Sequence, residues 1–220
     1  MKRVFFLVAI FCSMISCEGQ NKMYQQFIES FKPEKTDEIL KFGKLAQIRT
    51  KMTKKEALSF VYSGDTSKLF CKQQIVDMET EKVVAVTNEV YLPMKCGKLD
   101  MSNYFLIAYT TNQCIDVKKP VVTNLVLDIV SKDYKKTDSK IVYNGDEYEA
   151  VYNGLLNPSN GYIFIIGNIG GSEMKKAQLF LINSTSLKFE LVDEKVDVIG
   201  DTDDFSKFLV DYGWSIYFQN

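Results

Sequence analysis

From Cys71 onward the chain is a succession of short apolar segments that either alternate or run unbroken, a pattern that restricts it to a sheet-based fold. Val83 to Leu92 is rich in β-branched residues and follows a charged turn at Glu79 to Lys82, so it pairs as a hairpin with Cys71 to Met78. Tyr104 to Tyr109 and Tyr162 to Ile166 are nearly continuous apolar runs, as in strands covered on both faces. Leu125, Leu127 and Ile129, and again Leu187, Phe189 and Leu191, alternate with polar neighbours and predict half-buried strands. The expected fold is mostly β, a β-dominated α+β domain. It is an antiparallel meander, folded as a sandwich or partial propeller, with short N-terminal helices.

The meander carries a faint internal repeat. Tyr104 to Tyr109, Asn124 to Val130 and Lys140 to Tyr143 match, in order and character, Tyr162 to Asn168, Gln178 to Asn183 and Leu187 to Val192. The segment Leu181 to Phe189 resembles the turn between outer strands of many β-propeller blades. Two copies are too few for a whole propeller, and any antiparallel meander is self-similar.

Helices are predicted at both ends. Tyr24, Phe27, Ile28 and Phe31 recur at i, i+3, i+4 and i+7, giving an amphipathic helix from about Lys22 to Phe31, stopped before Pro33. Thr53-Lys54-Lys55-Glu56 is a capping-box pattern that opens a helix running to about Tyr62, ended by Gly64 to Ser67. Between them Ile39, Leu40, Phe42, Leu45 and Ile48 suit either a helix or a strand, Gly43 weighing against the first. Asp201 as N-cap and Asp204 at N3 start a last helix through Phe205, Phe208 and Leu209, and Trp214, Ile216 and Phe218 then alternate as a closing strand. Apolar residues so near the end predict a docked C-terminus.

Lys2 and Arg3 precede an apolar run, Val4 to Phe11, that leads to Ser16 and Cys17, the layout of a secretory signal. Met14-Ile15-Ser16-Cys17 resembles the lipobox of bacterial lipoproteins, with Met14 where leucine is usual. The resemblance covers residues 1–17 and implies a signal peptide (1–16), diacylglycerol on Cys17 and a short tether (17–22) before a single β-rich domain (23–220). Glu18 after the cysteine implies the outer membrane of a Gram-negative envelope. The membrane, through this anchor, is the one partner the resemblance names.

Composition narrows the chemistry. Lys plus Arg (27) nearly equals Asp plus Glu (28), which argues against electrostatic binding of nucleic acid. Paired lysines such as Lys135-Lys136 read as solvated edges. The chain has no histidine, so a Ser/His/Asp triad, a Cys/His dyad and histidine-bound metals are excluded. Beyond Cys12 and Cys17, the thiols of Cys71, Cys96 and Cys114 allow one disulfide in any of three pairings, and none is spaced as a CxxC motif. No metal or other cofactor is expected. Asp201 to Asp204 departs from a calcium loop at Phe205, Ser206 and Tyr212 and serves as a helix start. Glu147 and Glu149 share one side of a strand at a separation compatible with inverting glycoside hydrolysis, though solvated glutamates are commonplace. Gly167 to Ser172 follows a buried strand without GxGxxG spacing or a Walker lysine and reads as a hairpin loop.

What remains is recognition. Tyr134, Tyr143 and Tyr152 lie beside turns or polar neighbours and are candidates for sugar stacking. Asn157 and Asn160, in a loop expected near Tyr152, and Asn168 complete the candidate binding residues, with the loops Asn157 to Gly161 and Gly167 to Ser172 expected at one end of the sheet. The reading is an envelope-anchored module binding a protein or glycan, with a carboxylate-dependent hydrolase or an immunity or inhibitor lipoprotein as alternatives. The anchor is directly testable: metabolic labelling with a clickable fatty acid should mark the wild-type chain and not Cys17→Ser, and equal incorporation in the variant would remove the lipobox reading.

Overall fold

Consecutive strands pairing antiparallel account for most of the architecture. The structure, a computed structural model, describes residues 21–47, 49–77, 79–80, 82–113, 122–145, 150–168, 175–198 and 205–219. Its strands are β1 (Leu40–Lys41), β2 (Thr50–Lys51), β3 (Phe70–Val76), β4 (Val83–Val90), β5 (Met94–Asp100), β6 (Tyr104–Gln113), β7 (Val122–Ser131), β8 (Lys136–Gly145), β9 (Ala150–Asn157), β10 (Tyr162–Asn168), β11 (Lys175–Asn183) and β12 (Lys188–Val198). β3 and β4 form the expected hairpin as a separate two-stranded ribbon, and β5 to β12 form the meander in one large sheet, order β12-β11-β10-β9-β8-β7-β6-β5-β2.

The sheet opens into two leaves at β8 and β9, which among the described residues pair at Asn144↔Tyr152 and Gly145↔Ala150. Further along β9 the edge is taken by β1, Leu40 opposite Leu156 and Lys41 opposite Leu155. The leaves enclose one core, with Leu106, Leu125, Leu127, Ile129 and Val142 from β6 to β8 and Leu156, Ile163, Ile165, Phe180 and Ile182 from β9 to β11. This is the sandwich-like arrangement expected of the meander. β12 returns against β8, where the Thr137 hydroxyl donates to the Leu187 carbonyl and the Phe189 amide donates to Asp138. Side chains rather than a ladder make that seam, so the sheet is not a closed barrel.

Helices cover the outer faces. Helix α1 (21–29) follows the predicted periodicity and lays Phe27, Ile28 and Phe31 on Phe105, Ile107, Tyr109, Val126 and Val130 of β6 and β7. This corrects the half-buried reading of β7, since Val126, Asp128 and Val130 on its second face are also buried, Asp128 to 1 % exposure. Alternation reports one apolar face and is silent on whether another element covers the second. The ambiguous segment 39–48 is used both ways, as β1 and then as the short helix α2 (Phe42–Leu45). Helix α3 starts with the predicted capping box: the Glu56 amide donates to the Thr53 hydroxyl, and the Thr53 amide donates to the Glu56 carboxylate. Its first turn, Lys54–Glu56, continues as π-helix through Ala57–Val61, and Ser63 and Gly64 end it at positive φ.

Two lysines of β5 hold these helices to the sheet. Buried Lys95 donates to Glu56 of α3 (2.5 Å) and to the Ser30 hydroxyl (2.7 Å), and Lys98 pairs with Glu29 of α1 at 2.6 Å. Burial alone would raise the Glu56 carboxyl, but the bonds from Lys95 and Thr53 more than offset it and hold it below its ordinary value. The Glu29 carboxyl is lowered by the same kind of bond from Lys98.

At the far end α4 (Phe205–Asp211) buries Phe205, Phe208 and Leu209 as predicted, while its expected caps, Asp201 and Asp204, lie outside the described residues. The closing strand is not formed: Trp214–Phe218 is a 3-10 helix, entered through Gly213 at φ 70°. Trp214 and Phe218 sink into the cluster formed by the outer face of β9 to β11 and Ile216 stays 63 % exposed. Five residues of alternation cannot tell a strand joining a sheet edge from a turn of helix docking on a sheet face.

β9 approaches β10 closely at Gly154, where an added Cβ would lie 2.0 Å from the Phe164 carbonyl oxygen. Gly154→Ala is therefore expected to destabilise the domain by about 3 kcal/mol, the scale of overpacking in a filled core. Chemical denaturation of residues 18–220 checks this, and an unchanged midpoint would contradict the close pairing.

Candidate functional site

Where α1 stops covering the outer face of the first leaf, a cleft of about 570 Å³ remains. Its floor is made by Tyr109, Thr111 and Asn112 of β6, Asn124 and Val126 of β7, and Lys136, Ser139 and Ile141 of β8. The wall is Val61 and Tyr62 at the end of α3, then Ser67, Lys68 and Phe70 leading into β3. Residues two apart along β7 share a face, which brings Asn124, Val126 and Asp128 into line beneath it.

Asp128 is the anchor of the floor. The Tyr109 hydroxyl (3.1 Å) and the Ser139 hydroxyl (2.5 Å) donate to it, and the Lys136 ammonium stands 3.2 Å away. A buried carboxylate needs this many donors to offset its lost hydration. Burial first, and the neighbouring Asp128 charge second, push the Tyr109 phenol far above its ordinary value, so it stays protonated and donating. One strand over, the Asn144 amide donates to the Asn124 side-chain carbonyl at 2.5 Å, and the Thr123 hydroxyl bonds the Asn112 side-chain carbonyl at 3.4 Å. The Tyr62 hydroxyl, on a ring 7 % exposed, has no partner in hydrogen-bonding geometry, although the Asn112 backbone is close by.

A second cleft, about 560 Å³, lies at the other end of the strands among the turns at 101–103, 158–161 and 183–184. Two of its asparagines, Asn160 and Asn183, are engaged within the fold, as is neighbouring Asn157. Asn157 and Asn160 both donate to the Tyr217 carbonyl at 2.9 Å, fastening the C-terminal 3-10 helix, and Asn183 accepts from the amides of Thr185 and Ser186.

The residues singled out in the sequence are scattered. Tyr134, at φ 60°, stacks on Phe105 with ring centroids 5.5 Å apart and bonds Glu29, so it closes the end of α1. Tyr143 is partly buried against the inner core. Asn157 is 3 % exposed and structural. Tyr152 does not neighbour the Asn157 to Gly161 loop: it pairs with Asn144 and Gly167 at the opposite end of β9, beside the backbone of Asn168. Gly161 and Asn168 are likewise at opposite ends of β10, about 20 Å apart. Glu147, Glu149 and residues 169–174 lie outside the described residues.

Cys71 is disulfide-bonded, whereas Cys96 is a free, buried thiol whose ionisation burial pushes up to about 12. Among the described residues no cluster of three acidic or cysteine side chains is placed to hold a metal, and no helix is long and apolar enough to cross a membrane. Comparison with protein-family models, with curated proteins and with solved structures finds no match to this chain.

The sequence reading missed the cleft because its floor comes from three strands and its wall from a helix end and a loop. One signal was present: Asp128 interrupts the buried run Leu127 to Val130. Removing its carboxylate strands the Tyr109 phenol and frees Lys136, so Asp128→Ala should cost about 3 kcal/mol by thermal or chemical unfolding. A change under about 0.5 kcal/mol, the scale of an indifferent surface substitution, would show that the network does not hold the floor.

Proposed function

We propose that the chain is an outer-membrane lipoprotein, anchored through Cys17, whose domain binds a protein or glycan ligand in the cleft over β6 to β8. The observation that supports this reading is an open cleft of about 570 Å³ whose polar floor is organised around one buried charge, Asp128. A buried charge costs free energy unless it is paired, and Tyr109, Ser139 and Lys136 pair this one directly beneath the opening. Residue 21 is already helical, so few residues separate a lipid on Cys17 from the folded domain, which would stay close to the membrane surface.

Binding is favoured over turnover on chemical grounds. Asp128, beneath the cleft, has its oxygens occupied by Tyr109, Ser139 and Lys136 and is poorly placed to exchange protons with a substrate. No second carboxylate lines the cleft among the described residues, where a glycosidase needs two.

A photo-crosslinking amino acid at Ile141, which is 53 % exposed in the cleft, should give a discrete adduct in cells expressing the full-length chain. The same group at Val210, 66 % exposed on α4, should not. Equal adducts at both sites, or none at Ile141, would remove the cleft as the recognition surface.

A further inference from the structure

We infer that the cleft takes an anionic sugar, its acid group held by Lys68 and Lys136 and its hydroxyls by the polar floor. The inference rests on the cleft being the ligand site and specifies the ligand's chemistry. The argument is an inventory of what the cleft's groups have left to offer. The side-chain carbonyl of Asn112, which lines the floor, accepts from Thr123, so what this side chain has left for a guest is chiefly its N–H donors. Lys136 spends one direction on Asp128 and keeps the rest of its ammonium, and Lys68 is exposed at the rim.

Acceptors are scarce by comparison. Asp128 is consumed beneath the floor, and the hydroxyl of Ser139, having donated to Asp128, retains only its lone pairs for a ligand hydroxyl. No acid side chain lines the cleft among the described residues, while a third lysine, Lys54, sits 5.8 Å from the centre of the Phe70 ring at its edge. An acceptor-rich, negatively charged guest complements such a set, and a cationic one is repelled by it. Exposed apolar surface on Phe70 and Ile141 suits the C–H face of a sugar ring. The volume, about 570 Å³, lies within the usual range of small-molecule sites.

Titration of residues 17–220 lacking the lipid, followed by amide NMR shifts, tests this with four probes that share one ring: glucuronate, glucose 6-phosphate, glucose and glucosamine. The two acidic probes should shift amides of Asn112, Asn124 and Ser139 and bind about tenfold or more tighter than glucose, with glucosamine weakest. Which acid binds tighter separates a carboxylate from a phosphate ligand. Lys68→Gln should reduce the acidic preference about fivefold and Lys68→Arg should restore it, and added salt should weaken the acidic probes alone. Glucose binding in the cleft as tightly as the acids would overturn the anionic class and leave the cleft reading intact. Shifts confined to the turns at 101–103 and 158–161 would overturn both, and no saturable shift with either acid overturns the inference.

Discussion

The fold depends on how the outer face of the first leaf is neutralised. That face is apolar along β6 and β7 under α1, but at its β5 edge it buries two charges, Lys95 and Lys98. A buried ammonium is tolerated only with partners, and the partners come from elsewhere in the chain: Glu56 in α3, Ser30 after α1, and Glu29 within α1. Lys95 also lies over the rings of Phe27 and Phe31 at 5.4 and 5.8 Å. One side chain thereby registers two helices and a strand. The capping box of α3 belongs to the same network, since Glu56 serves both Thr53 and Lys95.

That arrangement also explains where the cleft is. Helix α1 covers β6 and β7 only as far as Tyr109 and Val126, and α3 ends in a π-helical turn that leaves Tyr62 facing the uncovered strip. Among the described residues nothing covers the polar strip, and Asp128 gathers Tyr109, Ser139 and Lys136 around one buried charge beneath it. A concave, donor-rich surface fixed by a buried charge is pre-organised, so a ligand need not meet the cost of ordering its floor. The opposite end of the sandwich has a cleft of similar size, but there the amides of Asn157 and Asn160 are spent on the C-terminal 3-10 helix.

Local signals were legible where a single segment decides its own structure. The spacing of Tyr24, Phe27, Ile28 and Phe31, the capping box at Thr53, the hairpin of β3 with β4 and the buried runs of β6 and β10 all require only neighbours in sequence. The signals failed where a second element intervenes. Trp214 to Phe218 alternates like a strand, yet Gly213 turns the chain and the rings of Trp214 and Phe164, 6.0 Å apart, pack on a sheet face instead. Tyr134 looked free beside its turn, but α1 supplies Glu29 from 105 residues away.

The sequence by itself determined the β-rich meander, the capping box that opens α3 and the exclusion of histidine chemistry, because propensity, periodicity and composition act along the chain. Tertiary structure decided which polar residues are structural and which face an open cleft. Asn157, Asn160 and Asp128 carry similar chemistry in sequence, and their roles differ only through what crosses them in space: a C-terminal carbonyl over the first two, and Tyr109, Ser139 and Lys136 from two neighbouring strands around the third. Burial and pairing are properties of the assembled layers, and no single segment contains them.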